Sequence, residues 1–153
     1  MPSAPRVPDR GERPAGRALR WRDDVLVVAA ALLPLALFTA RERLIAGAPG
    51  CPLDDSWIHL QFARNLAEGA GFSFNPGRPV AGSTAPLWTL LLGAGAAVAS
   101  ASLGMAKVLG VTVTLGAGLL TRRAVLAWGA PADVALVAAV ALLWTGPVAW
   151  GGL

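Results

Sequence analysis

The chain has 153 residues, of which 55% are apolar and 14% charged, against roughly 45–50% and about 25% in an average soluble domain. Mean hydropathy is +0.57 and the isoelectric point about 11.0. The formal charge of +4 is unevenly spread: Arg6, Arg10, Arg13, Arg17, Arg20 and Arg22 lie near the N-terminus, while Leu87 to Thr121 holds a single charge, Lys107. This balance excludes an ordinary soluble domain, a disordered chain and a disulfide scaffold, and predicts an all-α, polytopic helical membrane protein.

Residues 1–24 carry Pro2, Pro5, Pro8 and Pro14 among the arginines and little apolar surface. Such a segment cannot offset its ordering entropy, so a disordered tail is expected, and its arginines place it in the cytoplasm. The same arginines set topology and touch anionic lipid; without a basic face interleaved with aromatics, no nucleic-acid partner is expected. Val25 to Ala40 is the first apolar run, and extension to Ala46 makes a membrane-spanning helix over 25–46, with Arg41 and Arg43 snorkelling outward and Pro34 as a kink point. The long charged leader favours an uncleaved anchor over a signal peptide.

Residues 47–102 form the expected extracytoplasmic loop. Ala48-Pro49-Gly50, Asn75-Pro76-Gly77 and Gly82-Ser83 mark turns. Between the first two lies an amphipathic helix over 56–68, with Ser56 as N-cap and Gly69 as the residue past its end. On a helical wheel Gln61, Arg64, Asn65 and Glu68 share one polar stripe, with Ile58, Phe62, Ala63, Leu66 and Ala67 on the other side. A helix of this kind lies in the membrane interface.

Beyond it, two layouts fit. In one, Leu87–Leu103 and Val108–Thr121 form a transmembrane hairpin. In the other, 87–101 is a helix lying in or half-inserted into the interface, and 103–121 is a single span. The second keeps Arg122 and Arg123 on the same side as the leader arginines and is preferred. Residues 122–133 are then a cytoplasmic loop, and 134–150 is a third span with Trp144 and Trp150 near the far interface. The chain stops at Trp150-Gly151-Gly152-Leu153, just past an apolar run, which reads as the N-terminal part of a longer protein. Cys51 is the lone cysteine, so neither a disulfide nor a CxxC metal site arises, and it reads as a small loop residue.

Asp54-Asp55 is the one acidic pair outside the tail region. Continued backward, the helical period adds Asp54 to the stripe of Gln61, Arg64 and Glu68. Three uses fit the pair. One carboxylate can take a proton from an attacking hydroxyl, the pair can hold a divalent metal ion, or both can be solvated charges at a helix N-terminus. Arg64 either clamps a phosphate or pairs with Glu68 one turn on. His59 falls on the apolar side, where packing is the commoner role. Trp57 and Trp88 are interface anchors or sugar-stacking platforms. Gly93, Gly95, Gly110, Gly116 and Gly118 permit close helix packing and form no phosphate loop, since no strand precedes them.

The stretch Asp54 to Leu92, DDSWIHLQFARNLAEGAGFSFNPGRPVAGSTAPLWTLLL, resembles the first extracytoplasmic loop of GT-C membrane glycosyltransferases. The likeness extends to cell-wall arabinofuranosyltransferases and, more distantly, to protein O-mannosyltransferases and the lipid A aminoarabinose transferase. The acidic pair, the ARN helix, the Asn-Pro-Gly turn and the Pro-Leu-Trp helix start occur in the same order. The resemblance implies an inverting transfer from a polyprenyl-phosphate sugar donor to a glycan, lipid or protein acceptor outside the cytoplasm, in a multi-pass protein of the inner (cytoplasmic) membrane. It implies Asp54 and Asp55 as catalytic residues or as ligands of a divalent metal ion, and Arg64, His59 and Asn65 as substrate-binding residues. Gly82-Ser83-Thr84-Ala85 stands where relatives often carry Tyr-Thr-Ser or Tyr-Thr-Asn before the proline. The rival expectation is a non-catalytic assembly or transport subunit whose acidic loop binds an ion or a partner.

Overall fold

The computed structural model describes residues 13–48, 50–51 and 55–145, with side chains from residue 21 onward. Among them are five helices and no strand: α1 (Arg13–Ala46), α2 (Asp55–Ala67), α3 (Pro86–Ala99), α4 (Leu103–Ala127) and α5 (Ala132–Leu143). Helices α1, α4 and α5 pack together, α2 packs on α3, and α3 joins the two groups through α4.

Among the described residues, two helices are long and apolar enough to cross a membrane, Trp21–Ala46 within α1 and Leu103–Ala127. Only 11% of each apolar window is buried inside the fold. Val25, Leu26, Leu33 and Leu37 of α1 and Val108, Val113 and Leu120 of α4 point outward. In water this exposure would oppose folding; an apolar surround removes the penalty.

Helix α1 begins a full three turns before the predicted start. Residues 13–24, assigned by composition to a disordered tail, continue the helix. Pro14 falls in its first turn, where a missing N–H costs nothing, and the Arg, Ala and Leu beyond it are strong helix formers. Pro34 lies inside the uninterrupted helix.

The bounds of α3 and α4 agree with the helix break of the second layout. The break comes at Ser100-Ala101-Ser102, not near Lys107. Ser100 takes a positive φ of 62°, and the Ser102 hydroxyl caps α4 by accepting from Met105 N at 3.2 Å. At 14 residues α3 reaches about 21 Å, short of the roughly 30 Å hydrocarbon core, whereas the 25 residues of α4 reach about 37 Å. Helix α4 runs past the predicted end at 121, so Arg122 and Arg123 belong to the helix and not to a loop. It closes at Trp128, with Gly129 at φ +85° and Ala130 N donating to Val125 O. The described part of the third expected span is α5, whose 12 residues reach about 18 Å; Trp150 lies outside the described residues.

The position of Arg122 explains the helix extension. Its side chain is 3% exposed. Nη2 donates to Asp23 Oδ2 at 2.8 Å and Nη1 to Asp24 Oδ1 at 2.6 Å. At the other end of the pair, Lys107 Nζ lies 3.3 Å from Glu42 Oε2 and 5.4 Å from the Phe38 ring centroid. The order of partners makes α1 and α4 antiparallel. The two clamps are about 28 Å apart along α1 and about 22 Å along α4. Between them the contact is apolar and narrow. Gly110, Thr114, Gly118 and Arg122, each four residues on, form the buried stripe of α4. A Cβ added at Gly118 would lie 2.9 Å from Leu143 Cδ1 and 3.0 Å from Val27 Cγ1, so this glycine sets how closely α1, α4 and α5 meet. Gly93 and Gly95 are likewise close contacts, against Leu66 of α2 and Met105 and Leu109 of α4; Gly116 faces open space.

Removing Arg122 leaves Asp23, 12% exposed, without its partner, while Asp24, 40% exposed, stays in reach of water. Arg122→Met is therefore expected to cost about 3–5 kcal/mol, read as loss of helical signal on heating or denaturant titration in detergent. The triple change Asp23→Leu, Asp24→Ala, Arg122→Met should recover most of that loss. A single-variant effect under about 1 kcal/mol, the scale of a surface pair, contradicts the clamp.

Candidate functional site

The candidate residues cluster on α2, which the local sequence defines at both ends. Asp55 opens the helix, one residue before the predicted Ser56, and its carboxylate favours the N-terminal dipole. Gly69 closes it as expected, with φ +77°: Gly69 N donates to Leu66 O and Ala70 N to Asn65 O, the paired bonds of a left-handed terminus.

A short hairpin-like loop folds back on α2. Arg78 N donates to Asn75 O across Pro76-Gly77, and Gly77 has φ +75°, as a type II turn with proline in its second position requires. Ser73 and Pro79 form an isolated antiparallel bridge. The loop is held by Asn65. Its amide nitrogen donates to Ser73 O and Phe74 O, both at 2.8 Å, and its oxygen accepts from Gln61 Nε2 at 3.3 Å. Asn65 is 1% exposed, so it does not lie on the solvent stripe that the wheel gave it. An amide that satisfies two loop carbonyls is more stable buried than wet. Phe62 fills the space beneath, with ring centroids of Phe72 and Phe74 at 4.9 and 6.1 Å.

On the outer side of α2, Trp57, Gln61 and Arg64 follow at helical spacing and, with Ile58, Leu60 and Phe74, line an open depression of about 330 Å³. Trp57 is 51% and Phe74 42% exposed. Arg64 is exposed and, among the described residues, forms no ion pair with Glu68. A guanidinium beside two accessible aromatic faces and a side-chain amide can engage a phosphate and stack on a sugar ring.

The opposite side of α2 holds a buried hydroxyl–imidazole cluster against α3. His59, 8% exposed, places Nδ1 at 3.0 Å from Thr89 Oγ1 and 3.1 Å from Ser83 Oγ, and the two hydroxyls are 2.8 Å apart. Sequence reasoning places His59 on the packed side and misses Ser83 and Thr89 as its partners. Thr89 carries a usable signal: it is the one polar residue of Pro86–Ala99, and a hydroxyl in an apolar helix needs a partner.

Of the acidic pair, Asp55 is exposed at the start of α2; Asp54 lies outside the described residues. Asp55 and His59 sit one turn apart on one side of the helix, whereas Arg64 faces the other. Among the described residues, no three His, Cys, Asp or Glu side chains gather as metal ligands. Asp54, the other half of the acidic pair expected to hold a metal ion, lies outside them. Nearby, Glu42 Oε2 accepts from Gly50 N at 2.9 Å and anchors the start of the loop. Half-buried Cys51 comes next. Burial pushes its thiol above the usual range, with the Glu42 carboxylate adding to this, against the opposing hydrogen bond of Ser56 and the Lys107 charge.

The anchor and the thiol can each be tested. Asn65→Ala strips the loop carbonyls of Ser73 and Phe74 of a donor, an expected loss of about 1–3 kcal/mol, seen as faster amide exchange and earlier proteolysis over residues 70–80 with α4 unaffected; equal protection in both proteins contradicts the anchor. Alkylation of Cys51 should stay slow at neutral pH and keep rising beyond the pH at which a free thiol levels off, because its reactive thiolate forms later. Ser56→Ala should delay it further, and a plateau at or below the free-thiol position is the opposing result.

No protein family, no curated protein and no solved structure matches the chain.

Proposed function

We propose that this chain is part of a GT-C type membrane glycosyltransferase that transfers a sugar, with inversion, from a polyprenyl-phosphate donor to a hydroxyl acceptor outside the cytoplasm. The observation that carries the reading is the outer side of α2, where the Arg64 guanidinium shares an open depression with the accessible rings of Trp57 and Phe74; Asp55 is exposed at the first residue of the helix, on its other side. The ordered motif from Asp54 to Leu92 supports the same assignment. Two helices of spanning length beside a short α3 suit a multi-pass protein of the inner membrane, with the arginine-rich N-terminus cytoplasmic and α2 and α3 at the outer interface.

In this reading one carboxylate of Asp54 and Asp55 takes the proton of the acceptor hydroxyl as its oxygen attacks the anomeric carbon. The bond from that carbon to the phosphate oxygen breaks at the same time, and the electron pair leaves with the lipid phosphate. Arg64 faces the other side of α2 from Asp55, so a role in steadying the leaving phosphate goes with Asp54 as the base, the carboxylate that the helical period places on the Arg64 stripe. Trp57 gives the sugar a flat apolar face.

The reading is tested with Asp54→Asn and Asp55→Asn introduced singly into the native gene, with membranes assayed for transfer from a radiolabelled polyprenyl-phosphate sugar. At least one of the two changes should lower transfer by about a hundredfold or more, the contribution of a positioned general base. Glu68→Gln, at the far end of the helix, should leave it intact. Transfer at the wild-type rate in both aspartate variants removes the assignment.

A further inference from the structure

The paired ends of α1 and α4 enclose a second cavity, away from α2. It measures about 430 Å³ and is lined by Asp24, Arg122, Arg123, Leu126 and Ala127. Arg122 is 3% exposed and gives its terminal nitrogens to Asp23 and Asp24. Its Nε is the one fully buried side-chain polar atom without a partner among the described residues. The two carboxylates thus leave this guanidinium short of an acceptor.

The other two charged lining groups are opposite in sign and do not close on each other. Arg123 is exposed and, among the described residues, forms no ion pair. The Asp24 side chain is 40% exposed; Oδ1 accepts from Arg122, and Oδ2 meets no donor among the described residues. A free cation from α4 and a free carboxylate oxygen from α1, on one cavity, suit a ligand that carries both charges. Asp23, Asp24, Arg122 and Arg123 together sum to zero charge, so a purely anionic ligand finds no net attraction among them.

The cavity lies where both spanning helices end. Trp21–Ala46 starts three residues before Asp24, and Leu103–Ala127 ends four residues after Arg123. Trp21 and Trp128, both exposed, stand at this same end, as tryptophans at a membrane–water boundary do. Leu126 and Ala127 add an apolar wall, and outward-facing Leu120 continues the apolar surface along α4.

We infer that this cavity holds the headgroup of a phospholipid bearing a phosphate and a primary ammonium, the chemistry of phosphatidylethanolamine. Arg123 donates to the phosphate beside the wall formed by Arg122, the ammonium donates to Asp24 Oδ2, and the acyl chains follow the apolar surface of α4. A soluble phosphoethanolamine shares the polar contacts but gains nothing from the apolar wall, which favours the lipid. The inference rests on α1 and α4 crossing a membrane and is independent of sugar transfer.

The test is native mass spectrometry of the full chain in detergent, offered an equimolar mixture of phosphatidylethanolamine, phosphatidylglycerol and phosphatidylcholine with identical acyl chains. One phosphatidylethanolamine should be retained about fivefold over each of the others, the scale of a half-exposed charge contact, because glycerol brings no cation to Asp24 and choline no N–H. Asp24→Asn, which still offers Arg122 an oxygen, should abolish the preference over phosphatidylglycerol. Arg123→Gln should lower the bound fraction by a similar factor. Arg22→Gln, an exposed charge outside the cavity lining, should change neither. Helical content of the same samples identifies a variant that fails to fold, and the wild-type preference decides by itself. Equal retention of the three lipids, a preference for phosphatidylglycerol, or displacement by equimolar glycerophosphoethanolamine overturns the inference. Carbonate extraction of native membranes tests the crossing separately: a chain that stays in the pellet without the lipid preference counts against the headgroup site alone.

Discussion

A guanidinium held in an apolar setting sets the terms for the helical bundle. Arg122 is buried on α4 only because α1 brings Asp23 and Asp24 to the same height, one carboxylate for each terminal nitrogen. A single unpaired charge there would carry several kcal/mol of desolvation penalty. The pairing therefore allows few alternatives: sliding α1 by one turn, about 5.4 Å, would strip the guanidinium of its partners. Lys107 and Glu42 repeat the constraint at the far end. With both ends pinned, the apolar middle needs little specificity of its own, and Gly118 with Val27 and Leu143 suffices to seat α5. Dispersion alone between leucine-rich surfaces would leave the register loose, since outward-facing apolar groups are as content against lipid as against another helix.

The α2–α3 unit uses the same economy with neutral groups. Asn65 commits both amide hydrogens to loop carbonyls, His59 commits Nδ1 to two hydroxyls, and the small residue Gly93 lets α3 close against Leu66. These contacts hold Trp57, Arg64 and Phe74 around their depression without using those side chains. Scaffold and candidate ligand surface are thereby separated on one 13-residue helix: the inward side carries His59 and Asn65 with their hydrogen bonds, and the outward side keeps Trp57 and Arg64 accessible.

How much of this the sequence discloses depends on the range of the interaction. Local signals are legible. Gly69 at the end of α2, the Asn75-Pro76-Gly77 turn and the helical start at Pro86 are set by φ preferences of the residues themselves. The packed position of His59 comes from periodicity. Long-range pairings leave no local trace. Arg122 and Asp23 are 99 positions apart, and each alone looks like a terminal solvent charge. Without their pairing Arg122 reads as the start of a loop, and α4 ends too early. Asn65 is misplaced for a related reason: the wheel sorts residues by polarity, whereas an amide facing two unpaired carbonyls is drawn inward. Residues 13–24 mislead because composition averages over Pro2 to Pro14, while the helix begins at the last proline of that cluster and is built from the residues beyond it.

The polar groups that composition treats as exceptions in a greasy chain are thus the ones that determine its geometry. Arg122 spends both terminal nitrogens on α1 and sits where two helices must not slide. His59 does for α2 and α3 what Arg122 does for α1 and α4: its Nδ1 meets the hydroxyls of Ser83 and Thr89, and a shift of α3 along α2 would break both contacts. The difference is one of charge. An ion pair fixes register over a long apolar contact where little else is specific, whereas neutral hydrogen bonds suffice where the contact is short and the loop between the helices already limits sliding.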